Sequence, residues 1–296
     1  MSRNGRGLLR LISLFVLLVG FCGIAAAQDV ASLAKLIRSG NTEQKREALR
    51  LIRNARTEVA SRLAIPALRD GSEIVRATAA GSVIFLPKQE AIDALVPLLS
   101  DKSAFVRKEA AYAIGEVGDP TAIIGEDSED RLASALRLVL VRDKDPEVRA
   151  AAAVAMGTAG GLKSVWYLYF YLQESRRGEE HEFIRRSAVR SIGTAAESIR
   201  TGARAVASLQ RPTGQKDSGK LDLSREVRAF GSASRLTLQI LQDTSESDDI
   251  RREAARALGN IGDVSAIPAL TASLNAKDPY LANNSREALR KLKAVE

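Results

Sequence analysis

The chain has 296 residues, 45% hydrophobic and 27% charged, with a formal net charge of +8. That mixture supports a buried core and excludes global disorder. One His, one Cys and two Met exclude most metal and thiol chemistry, and 4% aromatic residues argue against a sandwich or barrel built on large rings.

Residues 1–27 read as an export signal. Arg3, Arg6 and Arg10 form a basic start, Leu11 to Ile24 an apolar stretch, and Ala25-Ala26-Ala27 a small-residue cleavage site. The apolar run is short for a bilayer core. Phe21 stands before Cys22, where a lipoprotein signal places a small residue. Cleavage after Ala27 is expected to leave a periplasmic or extracellular chain, 28–296, with no stable membrane insertion. Retention of the segment as an anchor is the alternative. The remaining chain has no cysteine, so disulfides cannot stabilise it. Its charge is +5, the +8 less three arginines, which is mild for a nucleic-acid binder.

Beyond the signal one phrase recurs: an acid, a gap, Val-Arg, then alanines at helical spacing. Val75-Arg76, Val106-Arg107, Val148-Arg149, Ile184-Arg185, Val227-Arg228 and Ile250-Arg251 fit it. A base unit of about 31 residues with insertions accounts for most of the spacing. In the best preserved unit, Ile250, Ala254, Ala257, Leu258 and Ile261 make one helical stripe, which Gly262 ends and Asp263 turns. Ala266 to Leu270 starts a second helix with Pro268 in its first turn. Asp278-Pro279 starts the next, with Asp as N-cap. Ala64 to Leu68 echoes Ala266 to Leu270, and Ala113 to Pro120 echoes Ala257 to Val264. No stretch alternates with period two for long enough to make a sheet. The pattern predicts an all-α fold, a right-handed α-solenoid of about seven or eight stacked helical hairpins. An irregular insertion near 210–224 interrupts it, with Pro212, Gly214, Gly219 and several charges.

These units resemble HEAT repeats, particularly the short bacterial form that also occurs in phycobilin lyases. The resemblance covers about residues 30 to 295. It implies that the Pro-containing helix lies on the convex side, that the Val-Arg helix lines the concave side, and that an Asp stands six residues before the Arg. Asp70/Arg76, Asp101/Arg107, Asp143/Arg149 and Asp222/Arg228 keep that spacing, and Glu179/Arg185 keeps it with a longer acid. Ser245/Arg251 does not. Ala282 follows Leu281 where the Arg would stand, and Lys45-Arg46 replaces Val-Arg in the first unit. Terminal units of a solenoid have one neighbour and are expected to differ. The pairs read as a structural ladder, each Arg donating to the acid of its own or the adjacent turn. A row of ligand-binding arginines is the alternative.

Catalysis is not expected, nor is a metal or cofactor. Deoxyhypusine hydroxylase, a HEAT-like enzyme, holds two irons with several His-Glu pairs, whereas His181-Glu182 is the one such pair here. Phycobilin lyases act in the cytoplasm, which the export signal opposes. Any Ser-His-Asp or Cys-His site would have to use His181. That residue lies among Glu179, Glu180 and Glu182 and reads as solvated near a helix start. Gly157, Gly160 and Gly161 punctuate a helix end. The acidic stretch Glu126 to Asp130 lacks the spaced ligands and glycine of a calcium loop.

Binding is therefore the expected activity: an exported, non-catalytic scaffold that takes a protein partner in its concave groove. An anionic envelope polymer is the alternative ligand, and a lyase or oxidoreductase on the same frame the alternative class. Nucleic acid is not expected. Arg186 and Arg190, four apart, share a helix face, and Arg252 and Arg256 repeat the spacing. With the nearby Arg176, Arg177, Arg185, Arg200 and Arg204 they suggest a positive strip. Residues 166–171 hold five aromatics in six positions, Trp166 and Tyr169 among them. They form either a contact patch, for a partner or a second copy, or extra core under the 173–181 and 210–224 loops.

Overall fold

The computed structural model describes residues 30–118, 127–159, 161–175, 179–209 and 224–293. The export segment with Cys22, Glu126, Arg176, Arg177, Asp222 and the insertion at 210–223 lie outside the described residues, as do the side chains of Arg204 and Arg228. Among the described residues every regular element is helical. The α-helices are α1 (30–39), α2 (Thr42–Ala55), α3 (Glu58–Ala64), α4 (Glu73–Ser82), α5 (Lys88–Leu95), α6 (Ala104–Val117) and α7 (Asp127–Arg142). They continue with α8 (Pro146–Ala159), α9 (Gly161–Glu174), α10 (Glu179–Leu209), α11 (Ser224–Gln242), α12 (Asp248–Ile261), α13 (Ile267–Ala272) and α14 (Pro279–Lys293). No helix among the described residues is long and apolar enough to cross a membrane.

The chain divides into two compact units, Met1–Leu86 and Pro87–Glu296. In the first, α2 packs on α4, and α3 touches both. A capping box opens α2: Asn41 Oδ1 accepts from the Gln44 N–H, and Gln44 Oε1 accepts from the Asn41 N–H. Leu49, Ile52 and Val75 are fully buried between the helices. Ser82 Oγ ties α4 to α2 by donating to the Leu49 carbonyl at 3.0 Å.

In the second unit the helices form two rows. Successive neighbours α6, α8, α10, α12 and α14 make one row, which carries Val106-Arg107, Val148-Arg149, Ile184-Arg185 and Ile250-Arg251; α7, α9, α11 and α13 make the other, and Val227-Arg228, expected to line the same face as the rest, falls on α11 in this second row. Leu136, Leu140, Met156, Leu168, Ile184 and Ile192 fill the space between rows and are fully buried. Within the Val-Arg row, small residues let backbones meet. A Cβ on Gly193 would stand 2.7 Å from Ala257 Cα, and one on Gly259 2.7 Å from Ala288 Cα. Native interiors have no slack for such a methyl group.

The best preserved unit follows its sequence closely. Gly262 ends α12 in the left-handed region at φ 82, where a Cβ is strained. The Asp278 carboxylate accepts from the Tyr280 and Leu281 N–H groups at the start of α14. The proline phrase behaves in two ways. Around Pro268 it opens α13, whereas around Pro66 and Pro97 it tightens the end of α3 and α5 into 3₁₀ turns, Ile65–Arg69 and Val96–Ser100. Proline has no N–H for the carbonyl four residues back, so an α-helix already under way tightens or stops there. The helix that carries Ile184-Arg185, α10, runs for 31 residues.

Candidate functional site

The Val-Arg arginine has one task in five units. Its guanidinium donates to carbonyls at or just beyond the end of the preceding helix or 3₁₀ turn. Arg76 reaches the Asp70 and Gly71 carbonyls at 2.9 and 3.1 Å, and Arg107 the Asp101 carbonyl at 3.0 Å. Arg149 reaches Leu140 at 2.8 Å, Arg185 reaches Leu172 at 3.0 Å, and Arg251 reaches Leu241 at 3.1 Å. Helix C-termini carry unsatisfied carbonyls and partial negative charge, and a guanidinium answers both.

The acids do separate work. Asp70, Asp101 and Asp143 each turn the chain by accepting the N–H two residues on, from Ser72, Ser103 and Asp145. Three carboxylates also take a cation from an earlier unit. Lys45, in the atypical first unit, meets Asp70 at 2.6 Å. Arg107 forks onto Asp143 at 2.7 and 2.8 Å, and Arg252 onto Asp278 at 2.6 and 2.9 Å. So Arg76 and Arg107 hold the backbone carbonyl of the Asp six residues earlier, while Asp70, Asp143 and Asp278 pair across units. Burial alone would raise Asp143; Arg107 and nearby backbone N–H groups outweigh it and hold the carboxyl below its ordinary range. Arg252 holds Asp278 low in the same direction. Arg185 combines both tasks, because it also pairs with Glu246, with side chains only 5% and 3% exposed.

Arg186, Arg190 and Arg252 come together in a groove between α10, α12 and α14, a space of about 430 Å³. They do not make a positive strip. Arg186 meets Asp249 at 2.7 Å, Arg190 meets Glu253 at 3.1 Å, and Arg252 meets both Asp249 and Asp278. Asp249 sits in the first turn of α12 and Asp278 before α14, where helix N-termini favour them, and Glu253 lies one turn further along α12. Arg256 is exposed one turn further along α12 and is not part of the groove lining. Two rings flank the groove: Phe183 is 44% exposed with Arg186 over its face at 5.4 Å, and Tyr280 is 66% exposed with Arg252 over its face at 4.9 Å. Glu253 Oε2 is buried beside them with no hydrogen-bond partner among the described residues.

The aromatic run 166–171 divides between the two expected roles. Val165, Leu168, Tyr171 and Leu172 face the core. Trp166 and Phe170 lie outward at 39% and 48% exposure and stack on each other at 6.0 Å, with Tyr169 edge-on to both. Phe170 also lines a cavity of about 480 Å³ formed by α7, α8, α9 and the start of α10. Arg137 lies over the Tyr167 ring at 5.3 Å and Arg149 over the Tyr171 ring at 5.8 Å. His181 is half-buried in the same lining. Burial pushes the Tyr171 hydroxyl up, against the pull of Arg149 and Arg185, so it stays protonated.

Sequence reading missed Phe183 and Tyr280, although a signal was present. The residue before the Val-Arg phrase is Ile74, Phe105 or Phe183 in three units, Tyr280 holds the same place before Leu281-Ala282, and all four are exposed large apolar side chains. The cavity left no such trace, because Arg137 and Tyr167 meet through the stacking of α7 on α9 and share no local pattern.

Helical pairs stacked in two rows, with arginines stitching unit to unit, define an α-solenoid. Residues 61–125 and 232–295 match the family model for HEAT repeats. No curated protein matches it in sequence. Among solved structures, Kap121p bound to Pho4p is 14% identical with a TM-score of 0.57, covering 90% of this chain and 27% of that one. The complex of CpcE and CpcF of phycocyanin lyase from Nostoc sp. PCC7120 is 16% identical with a TM-score of 0.45, covering 89% and 93%. Human deoxyhypusine hydroxylase is 18% identical with a TM-score of 0.38, covering 93% and 99%.

Proposed function

We propose that the chain is an exported, non-catalytic scaffold that binds a protein segment in the α10–α12–α14 groove. One observation carries the reading: Phe183 and Tyr280 stand exposed under arginines, beside the partnerless Glu253 Oε2. Aromatic and arginine side chains concentrate binding energy at protein interfaces. A buried carboxylate oxygen calls for a donor, and a peptide N–H is one. Carboxylates neutralise the groove arginines, which favours an apolar segment over an acidic polymer, with affinity insensitive to salt. Kap121p, a solenoid of similar fold, is itself bound to a protein, Pho4p.

A photocrosslinking phenylalanine at position 280, introduced in the cell, tests this. A discrete crosslinked protein that disappears with Phe183→Ala is expected. Crosslinks unaffected by Phe183→Ala would contradict the groove as the site. Export rests on the Arg3 to Ala27 pattern. N-terminal sequencing of the protein from the envelope fraction is expected to begin at Gln28; intact chain confined to the cytoplasm would sink that part. The exposed Trp166–Phe170 stack favours a second reading, self-association through α9.

A further inference from the structure

We infer that the cavity between α7, α8, α9 and the start of α10 is a binding site for a carboxylate carried on an apolar body. Its two arginines have a property that the groove arginines lack. Neither Arg137 nor Arg149 pairs with a carboxylate among the described residues. Arg149 spends Nε on the Leu140 carbonyl and sets Nη2 3.4 Å from the Tyr171 hydroxyl. Among the described residues Arg137 rests on the Tyr167 ring alone. A guanidinium lying on an aromatic face keeps its fork available while losing freedom to move, which prepares it for an oxyanion.

The other walls choose the rest of the ligand. Val141 and Phe170 supply apolar surface, and about 480 Å³ suits a small molecule or one to two side chains. Charge chooses the anion. Among the described lining residues Arg137 and Arg149 stand against Glu174, one positive charge in excess, His181 aside. A monoanionic carboxylate balances that charge. A phosphate dianion would overshoot it and face Glu174. The carboxylate has two sources, a free organic acid or the C-terminus of a polypeptide, and the chemistry of recognition is shared.

Trp166 is the one tryptophan of the chain and stacks on Phe170, so its emission reports on the cavity. The purified protein would be titrated with 3-phenylpropionate and with the neutral 3-phenylpropanamide, following heat and Trp166 emission. A tetrapeptide ending in Phe, with a free or an amidated C-terminus, forms the second arm. Saturable binding of an acid is expected, with its amide at least tenfold weaker. Arg137→Gln is expected to weaken the acid at least tenfold at a nearly unchanged melting temperature, since among the described residues that side chain caps no helix and makes one exposed ring-face contact, with Tyr167. Tighter binding of the small acid supports the site and assigns a free organic acid. Tighter binding of the peptide acid supports it and assigns a chain terminus. Equal binding of acid and amide, undiminished binding by Arg137→Gln, or no saturable binding of either acid would overturn the inference. None of these outcomes bears on the groove, whose lining shares no residue with the cavity.

Discussion

In the α10–α12–α14 groove, Arg186, Arg190 and Arg252 each end on a carboxylate of a neighbouring element. In the α7–α8–α9 cavity, Arg137 and Arg149 lie on tyrosine rings and meet no carboxylate among the described residues. The residue type is the same and the helices alternate in the same way. What differs is the partner that the adjacent unit presents: acids on α12 and before α14 in one case, tyrosines of α9 in the other. Positive potential is therefore a property of pairing, and a count of arginines along the chain does not reveal it. The groove arginines tie neighbouring elements together, and Phe183 and Tyr280 stand exposed beside them. In the cavity Arg149 also holds the Leu140 carbonyl, and Arg137 meets a ring.

The comparison can be broken at its structural end first. Arg185→Met removes a guanidinium from buried Glu246 and from the Leu172 carbonyl. Breaking a buried pair by removing one partner costs about 3–5 kcal/mol, read by urea unfolding. Next comes Gly259→Ala, which forces a methyl group against Ala288 Cα in the Val-Arg row. Overpacking of this kind costs about 1–3 kcal/mol. If Gly259→Ala is neutral, the row is not closely packed there.

Acid sharpens the comparison further. Asp70, Asp143 and Asp278 titrate below their ordinary value of 3.8 in the folded chain. Their contribution is complete above that value and is lost as pH falls through the lower folded value. Stability is expected to drop below about pH 4. Asp143→Asn should be less stable at neutral pH and lose less on acidification, as thermal melts across pH 2–6 would show. The smallest effect is expected from Arg186→Ala. Its pair with Asp249 is well exposed, with side chains at 38% and 40%. Such pairs are worth about 0–1 kcal/mol.

Much of the architecture was legible before any coordinate. The recurrence of Val-Arg, the Gly262 stop and the Asp278-Pro279 start are local signals, and local geometry obeys them. The acceptor of the arginine was not legible. A spacing of six residues suggests a side-chain pair, whereas Arg76 and Arg107 donate to the backbone carbonyls of Asp70 and Asp101. Lys45 shows the converse: it departs from the phrase and still delivers a cation to Asp70. Sequence also could not divide the 166–171 run, because its exposure depends on what α7 and α11 leave uncovered on α9. Asp222 and the Arg228 side chain lie outside the described residues.

The most direct test places Arg252→Ala beside Arg137→Ala in one urea series followed by Trp166 emission. Losing the Asp278 fork should lower the stability of Arg252→Ala by about 1–3 kcal/mol, as charged hydrogen bonds do, with an unchanged slope. Arg137→Ala should stay within about 0.5 kcal/mol of the parent, as surface substitutions do. Equal losses in the two variants, or a larger loss in Arg137→Ala, would contradict the division between arginines that hold the fold and arginines that remain available to bind.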